Sequence, residues 1–157
     1  MVLPTKEERV MSPEIRKITE ADRAAVLSMM RKFYSSPAVS TNGSEEIFNA
    51  DIDACLEESP YLEGYVFDLE GTLQGYAMLA KSFSTEYGKR CIWLEDIYIL
   101  KEYRNTGLGS RFIEFVKEKY PNTLLRLEVE EENEAAVHTY KKAGFDFFPY
   151  LEMKTEV

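Results

Sequence analysis

The chain has 157 residues, 45% of them hydrophobic and 13% aromatic, which argues against disorder and favours a single globular domain. Its 28 acidic and 19 basic residues give a net charge of −9. A nucleic-acid-binding protein normally carries a basic face, so this charge disfavours nucleic acid as a partner and favours a positively charged ligand.

The chain contains two cysteines and no long apolar segment. Cys55 and Cys91 have neither the spacing of a metal site nor that of a disulfide framework, so we expect free thiols in a reducing compartment and no bound metal. No apolar run approaches the length of about 18 residues that crosses a bilayer, and the N-terminus has no apolar signal core. We therefore expect a cytoplasmic protein with no membrane partner, forming one domain over 1–157 with a polar arm at 1–12.

The first third of the chain predicts one strand and two helices. Residues 14–19 alternate apolar and charged side chains, which is typical of a short strand. Thr19 can cap a following helix over 20–34. After a loop with proline and glycine, Ser44 is in position to cap a second helix over 45–59.

The middle of the chain predicts a hairpin and a β-α-β unit. Residues 65–84 form two strands joined by a turn that contains Gly71. A long apolar strand over 90–100, a helix over 108–120 and a strand over 124–129 follow. The two strands of this unit are expected to lie parallel, or to splay apart from a parallel start.

The end of the chain predicts a helix followed by one or two strands. The segment NEAAVHTYKKAG, residues 133–144, is helical in pattern, with Gly144 at its C-terminal end. The segment FDFFPYLEMKT, residues 145–155, supplies the strands. Its apolar start is compatible with a homodimer interface, although core packing explains it equally well. The order of elements predicts a mixed α/β fold.

A glycine turn lies between the long strand and the helix that follows it. The sequence RNTGLGS, residues 104–110, lacks the third glycine of the dinucleotide fingerprint and the Lys-Ser/Thr pair of a P-loop. Such a turn still presents unpaired N–H groups at the positive end of a helix dipole. Gly107 and Gly109 let a phosphate approach the backbone, and Arg104 and Ser110 add donors. The turn therefore predicts either a phosphate site or an ordinary helix start.

Two polar residues of the last predicted helix face the same way. Asn133 and Tyr140 are seven residues apart, which falls about 20° short of two full turns. A tyrosine hydroxyl that faces a cleft can donate a proton, whereas the alternative is a ring packed against the sheet. His138, the only histidine, lies about 200° from Tyr140 around the helix and is expected at the surface.

Taken together, these segments resemble the GNAT superfamily of acetyl-CoA-dependent N-acetyltransferases. EYRNTGLGS matches the family's Q/R-x-x-G-x-G/A signature through Arg104, Gly107 and Gly109. The later N-x-x-A…Y-x-x-x-GF segment is matched through Asn133, Ala136, Tyr140, Gly144 and Phe145. The strand WLEDIYIL is most similar to the diamine and polyamine N-acetyltransferase branch. The resemblance implies a mixed, mostly antiparallel sheet of six or seven strands with a splayed parallel pair, flanked by about four helices.

The resemblance also implies an acetyl-CoA site along the β-α-β unit. The pyrophosphate is expected beside Arg104, on the backbone of Asn105, Thr106, Gly107, Leu108, Gly109 and Ser110. The pantetheine arm is expected to pair with the strand end formed by Ile97, Tyr98 and Ile99, and Asn133 to hold that arm or its water. The backbone N–H of Ile97 or Ile99 would polarise the thioester carbonyl.

Acetyl transfer further requires an amine that has lost its proton. An amine with the pKa of lysine, about 10.4, is mostly protonated at pH 7 and cannot attack. Glu95, beside the splay, is the candidate base, acting through water, and its alternative role is a cross-strand ion pair. Asp96 points to the opposite face of a regular strand, but a bulge would re-aim it, which makes it a candidate substrate-binding residue. Tyr140 would protonate the departing CoA thiolate.

The expected acceptor is a small cationic molecule with a primary amine, and diamines and polyamines are the first class. An amino acid, an aminoglycoside or a protein amine are alternatives within the same enzyme class. A different class of function is a non-catalytic, regulatory CoA-binding module that keeps the phosphate turn. The presence of both Glu95 and Tyr140 argues against such a module.

Overall fold

The computed structural model describes residues 12–39 and 43–157, so nearly all of the predicted N-terminal arm lies outside the described residues. The described part contains five strands and four α-helices. In chain order these are β1 (Glu14–Lys17), α1 (Arg23–Tyr34), α2 (Glu45–Leu56), β2 (Leu62–Leu69), β3 (Thr72–Ser84), β4 (Lys89–Ile99), α3 (Leu108–Lys119), β5 (Leu124–Leu127) and α4 (Glu134–Lys142). Short 3₁₀ turns precede α1 and follow β4.

The strands form one mixed sheet in the order β1-β2-β3-β4-β5. The first four strands pair antiparallel with their neighbours, and β4 pairs with β5 in parallel. The predicted β2–β3 hairpin is confirmed, and Gly71 in its turn has φ +90, a backbone angle that glycine adopts without strain. The predicted cap of α2 is also present, since the Ser44 hydroxyl accepts a hydrogen bond from the Ile47 N–H.

The parallel pair is short, which confirms the predicted splay. Pairing between β4 and β5 begins at Cys91 with Leu124 and ends at Leu94 with Leu127. Strand β4 nevertheless continues to Ile99, held by β3 on its other side. Within the described residues, the part of β4 after Leu94 therefore has no strand beside it on the β5 side, and the sheet is open there.

The prediction of six or seven strands is wrong for the part of the chain that the structure describes. The predicted strands over 145–155 are absent, and the chain after α4 runs without regular secondary structure to its end. Pro149 has no N–H to donate to a strand neighbour. Leu151 and Met153 are 98% and 94% exposed, so no apolar surface of the described structure holds this segment in an extended, paired form.

Two cores lie on opposite faces of the sheet. Helices α1 and α2 cover one face, and the sheet contributes Val66, Tyr76, Met78 and Tyr98 to this core. Helices α3 and α4 cover the other face, where the sheet contributes Tyr65, Phe67, Ala77, Leu79, Ile92 and Leu94. Both cysteines are free in the described structure, and no described helix combines the length and apolar character that crossing a membrane requires.

Candidate active site

A β-bulge at Glu95 determines which side chains of β4 reach the open part of the sheet. Met78 of β3 pairs with Asp96 and the next residue, Leu79, pairs with Leu94, so Glu95 is an extra residue in β4. A bulge of this kind reverses the alternation of side chains beyond it. Leu94 accordingly packs towards α3, whereas Asp96 packs towards α1. The bulge that the sequence left open is present, and it turns Asp96 towards α1.

Asp96 is a buried carboxylate fixed by two tyrosines. Its side chain accepts hydrogen bonds from the hydroxyl of Tyr34 on α1, at 3.0 Å, and from the hydroxyl of Tyr76 on β3, at 2.6 Å. Burial raises the pKa of Asp96, and the two hydroxyls oppose part of that rise. Because both of its oxygens are engaged, Asp96 is a rigid source of negative charge rather than a free base.

Asp51 of α2 lies close enough to Asp96 and Glu95 for their charges to act on it. It was not predicted from the sequence. It is half-buried, and burial together with the negative charges of Asp96 and Glu95 raises its pKa to about 6. The sequence did carry a signal, because Asp51 lies four residues after Ile47 and four before Cys55, on the apolar stripe of the helix. An acid at such a position is uncommon without a task.

Glu95 lies directly after the last residue pair of the parallel strands and is exposed. Partial desolvation and the charges of Asp96 and Glu152 raise its pKa. Nearby, burial and a hydrogen bond with Glu152 raise the pKa of Glu128. These carboxylates and Asp51 form what we call the acid group, namely Asp51, Glu95, Asp96, Glu128 and Glu152.

No member of the acid group forms an ion pair with any of the described residues. The alternative role of Glu95 as a cross-strand ion-pair partner therefore finds no partner within the described ranges. Mutual repulsion and desolvation disfavour so many unpaired charges, and a bound cation would relieve both. The arrangement is thus chemically suited to a ligand with more than one ammonium group.

The start of α3 has open backbone donors. Gly107 is the N-cap at φ +83, and no side chain caps the helix. A Cβ atom at Gly107 would meet nothing within 4 Å, and one at Gly109 would meet only the Ile99 Cδ1 at 3.9 Å. The chain's own packing therefore does not require glycine at 109, and the first-turn N–H groups have no partner inside the helix. Both features suit a phosphate, and they favour this interpretation of the turn over glycine for packing.

The side chains of the glycine turn differ in how many free hydrogen-bond donors they offer a ligand. Arg104 is exposed, donates from Nε to the Ile99 carbonyl at 2.9 Å, and lies 5.5 Å from the Tyr98 ring. Its remaining N–H groups are available for a phosphate. The Thr106 hydroxyl donates to the carbonyl of Tyr103 and so stabilises the turn itself.

Asn133 and Tyr140 occupy opposite ends of α4. Asn133 is the N-cap, and its Oδ1 accepts from the Ala136 N–H at 3.4 Å, so only its NH₂ group is left for a ligand. Tyr140 packs into the second core, with its ring 6.0 Å from that of Phe145, and burial raises its pKa. The hydroxyl therefore keeps its proton at neutral pH. His138 is exposed, as predicted.

A cavity of about 960 Å³ follows the outer side of β5. Its walls are β5, α4 and the segment after α4, and both Tyr140 and two members of the acid group, Glu128 and Glu152, line it. Glu95 and Asp96 come directly after the last β4 residue that pairs with β5, and the free end of β4 and the glycine turn over 104–110 follow them in the chain.

The chain is similar in sequence to known acetyltransferases. A model of the "Acetyltransferase (GNAT) family" matches residues 25–145. A probable spermine N(1)-acetyltransferase of Bacillus subtilis subsp. natto is 28% identical over 155 residues, covering 93% of this chain and 95% of the relative. The thialysine N-epsilon-acetyltransferase of Bos taurus is 33% identical over 143 residues, covering 83% of this chain and 82% of the relative.

Solved structures share the fold at low sequence identity. A possible acetyltransferase from Clostridium difficile 630 has a TM-score of 0.76 at 20% identity, covering 93% of this chain and 98% of its own. The aminoglycoside N-acetyltransferase AAC(6')-Iy, solved with a CoA-containing bisubstrate analogue, has a TM-score of 0.72 at 14% identity, covering 92% of this chain and 97% of its own. The arrangement of sheet and helices is therefore one that these proteins share.

Proposed function

Because the chain belongs to the GNAT family of acetyl-CoA-dependent N-acetyltransferases, we propose that it acetylates a primary amine of a small acceptor with more than one positive charge. The observation that carries this proposal is the acid group, which has no cationic partner among the described residues. Relatives named for spermine and for thialysine support it, since both compounds carry at least two amines. Diamines and polyamines are the first acceptors to test.

The same proposal assigns the acetyl-CoA site. The pyrophosphate binds the backbone N–H groups of 105–110, with Arg104 as the charged donor. The pantetheine arm lies along the free end of β4, residues 97–99, and the Asn133 NH₂ group donates to it. Acetyl-CoA supplies the activated acetyl thioester, and the backbone N–H of Ile97 or Ile99 donates to its carbonyl oxygen.

Two side chains handle the protons of the reaction. Glu95 accepts a proton from the acceptor's ammonium group through water, and its raised pKa makes it a stronger base. Asp96, held by its two tyrosines, draws the ammonium group to the splay by its charge. Tyr140 donates its proton to the CoA sulfur as the bond from that sulfur to the acetyl carbon breaks and the new bond to nitrogen forms.

A thiol-release assay with a panel of amines tests the proposal. We expect release of CoA to depend on an added amine, with small acceptors that carry two or more amines giving the highest kcat/KM. Tight CoA binding without amine-dependent release from any member of the panel would instead support a non-catalytic CoA-binding module. Preference for a large aminoglycoside or a protein amine would overturn the acceptor class but not the reaction.

The cellular location and the assembly belong to the same proposal. Free thiols at Cys55 and Cys91 are typical of a reducing compartment, which supports the cytoplasm. Exposed apolar side chains after α4, among them Phe147 and Leu151, support a homodimer, because such surface is usually covered in an assembly. Sedimentation analysis at micromolar concentration distinguishes the dimer from a monomer.

A further inference from the structure

Arg126 of β5 lies against two aromatic rings in the cavity beside that strand. Its guanidinium carbon lies 4.3 Å from the centre of the Trp93 ring and 4.5 Å from that of the Phe148 ring. Trp93 is its neighbour across the parallel pair, and Phe148 comes from the segment after α4. All three residues line the cavity. Stacking of this kind engages the flat face of a guanidinium and does not use the N–H donors at its edge.

The guanidinium edge has no anionic partner in the part of the chain that the structure describes. None of the described salt bridges involves Arg126. The planar fork of an arginine matches a carboxylate in two parallel hydrogen bonds. An arginine whose rotation is restricted by stacking loses little further freedom when it binds such a group. Arg126 is therefore preorganised for an anion inside a cavity that otherwise attracts cations.

Arg126 and the proposed base lie on the same stretch of the sheet. Leu94 and Leu127 pack towards α3, so their neighbours Trp93 and Arg126 point to the opposite face, towards which Asp96 is also turned. Trp93 precedes Glu95 by two residues, which corresponds to about 6–7 Å of strand. That separation is comparable to the distance between the terminal amine and the carboxylate of an extended lysine-like molecule.

We propose that Arg126 binds the carboxylate of a diamino acid acceptor whose terminal amine is acetylated beside Glu95. The inference rests on the proposed function and narrows its acceptor class. Such an acceptor has two ammonium groups and one carboxylate, and the cavity offers a counterpart to each kind of charge: Glu128 and Glu152 for ammonium, Arg126 for carboxylate. A simple diamine or polyamine has no group that would engage Arg126.

Matched pairs of acceptors that differ only in the carboxylate test this proposal. The pairs are lysine with 1,5-diaminopentane, and thialysine with bis(2-aminoethyl) sulfide. We expect Arg126→Met to lower kcat/KM for the carboxylated members about 10- to 100-fold, the range for losing a charged hydrogen-bond partner. For the decarboxylated members we expect a change of less than about threefold, since they leave Arg126 unused. Arg126→Lys, which keeps the charge but not the fork, should restore part of the loss.

Trp93 provides a second measurement that does not depend on turnover. It is the only tryptophan of the chain and lies against Arg126, so its fluorescence reports on this part of the cavity. Titration with thialysine in the presence of CoA should change the emission at lower concentration than titration with bis(2-aminoethyl) sulfide. The difference should disappear in Arg126→Met.

Three outcomes are distinguishable. If Arg126→Met reduces kcat/KM equally for both members of each pair, the residue only packs the cavity and the inference is overturned. If the wild-type enzyme acetylates diamines but neither lysine nor thialysine, the inference is overturned while the proposed function stands. If no amine supports thiol release, the proposed function itself fails, and the carboxylate site with it.

Discussion

Two adjacent acids of β4 have different environments because one extra residue interrupts the strand. Glu95 occupies the bulge and reaches solvent at the splay, whereas Asp96 is buried and bonded to Tyr34 and Tyr76. A base must exchange protons with a substrate or water, and a positioning charge must stay ionised and still. The solvent access of Glu95 suits the first role; the hydroxyls of Tyr34 and Tyr76 hold Asp96 still and oppose part of the rise that burial causes in its pKa.

The role of Glu95 predicts a specific change in pH dependence. Glu95→Gln should lower kcat by about 10²–10⁴-fold at pH 7, the usual range for a lost general base. The loss should shrink at high pH, where the free amine forms without help. A pH–rate profile with spermine measures both effects. Glu118→Gln, an exposed acid of α3, is a matched control that should leave the profile unchanged. A profile for Glu95→Gln that parallels the wild type would contradict the assignment.

Asp51 should stabilise acceptor binding at the expense of the fold. Its pKa of about 6 lies above the ordinary value, so the native state prefers the protonated form, and stability is lost as pH rises through about 6. Asp51→Asn should therefore raise Tm at pH 7, with no gain below pH 4. The same variant should raise KM for a polyamine at pH 7.5. Thermal melts at two pH values and steady-state kinetics measure these effects, and a lowered Tm at pH 7 would refute the argument.

At the level of single elements, the start of α3 leaves its backbone donors open. A helix can begin with a side-chain cap, as α2 does at Ser44, but α3 begins at an uncapped Gly107. An uncapped start leaves several N–H groups without partners, which costs stability unless water or a ligand supplies acceptors. Under the proposed function, the pyrophosphate of acetyl-CoA supplies them.

Gly109 permits a test in which stability and binding move in opposite directions. Gly109→Ala should stabilise the chain by about 0.5–1 kcal/mol, because the position is helical and the new Cβ meets only one atom, at 3.9 Å. It should also raise KM for acetyl-CoA by crowding the phosphate. Gly71→Ala in the β2–β3 turn is the control: its φ of +90 predicts lost stability with KM unchanged. An unaltered KM in Gly109→Ala would argue against phosphate binding at this turn.

The sequence predicted best where local chemistry decides the structure. The glycine turn, the hairpin at Gly71 and the cap at Ser44 each depend on a few adjacent residues, and all three are present. The bulge at Glu95 depends on the register with β3, which no local pattern encodes. Asp51 was missed for a related reason, since its surroundings come from β4, more than forty residues away in a chain of 157. The strands predicted over 145–155 are absent because an alternation of side chains does not supply a neighbouring strand to pair with.

At the scale of the whole molecule, the candidate site residues are divided between the two faces of the sheet. Asp51 and Asp96 lie on the side covered by α1 and α2. The glycine turn and Tyr140 belong to the helices of the other side. Under the proposed function, acceptor and acetyl-CoA approach β4 from opposite faces and meet at the splay. The opening in the sheet is what lets the two meet.

A buried network away from the splay holds the sheet and α3 together. Glu63 accepts hydrogen bonds from the hydroxyls of Tyr65, at 2.7 Å, and Tyr120, at 2.6 Å, and pairs with Lys81 at 2.8 Å. Burial alone would raise the pKa of Glu63, but the bond from Lys81 and the two hydroxyls lower it to about 2. The network thus joins β2, β3 and the end of α3.

Loss of this network should lower the stability of the fold without changing the residues proposed to act in acetyl transfer. Glu63→Gln should reduce the free energy of unfolding by about 2–3 kcal/mol at pH 7, because it removes the charge that pairs with Lys81 and one of the two oxygens that accept from Tyr65 and Tyr120. The lowered pKa of Glu63 contributes stability above about pH 4.5, which is lost as pH falls towards 2. Urea titrations at pH 7 and pH 3 should show a smaller difference at pH 3. An equal difference at both pH values would contradict the ionic origin.

The segment after α4 also affects how the enzyme should be prepared. Phe148 covers Arg126, and Glu152 belongs to the acid group, so both contribute to the cavity from the segment after α4. An affinity tag fused after Val157 extends this wall of the cavity. Acceptor preferences measured with such a tag in place would describe the fusion rather than the enzyme, and a protease-cleavable tag removes that ambiguity.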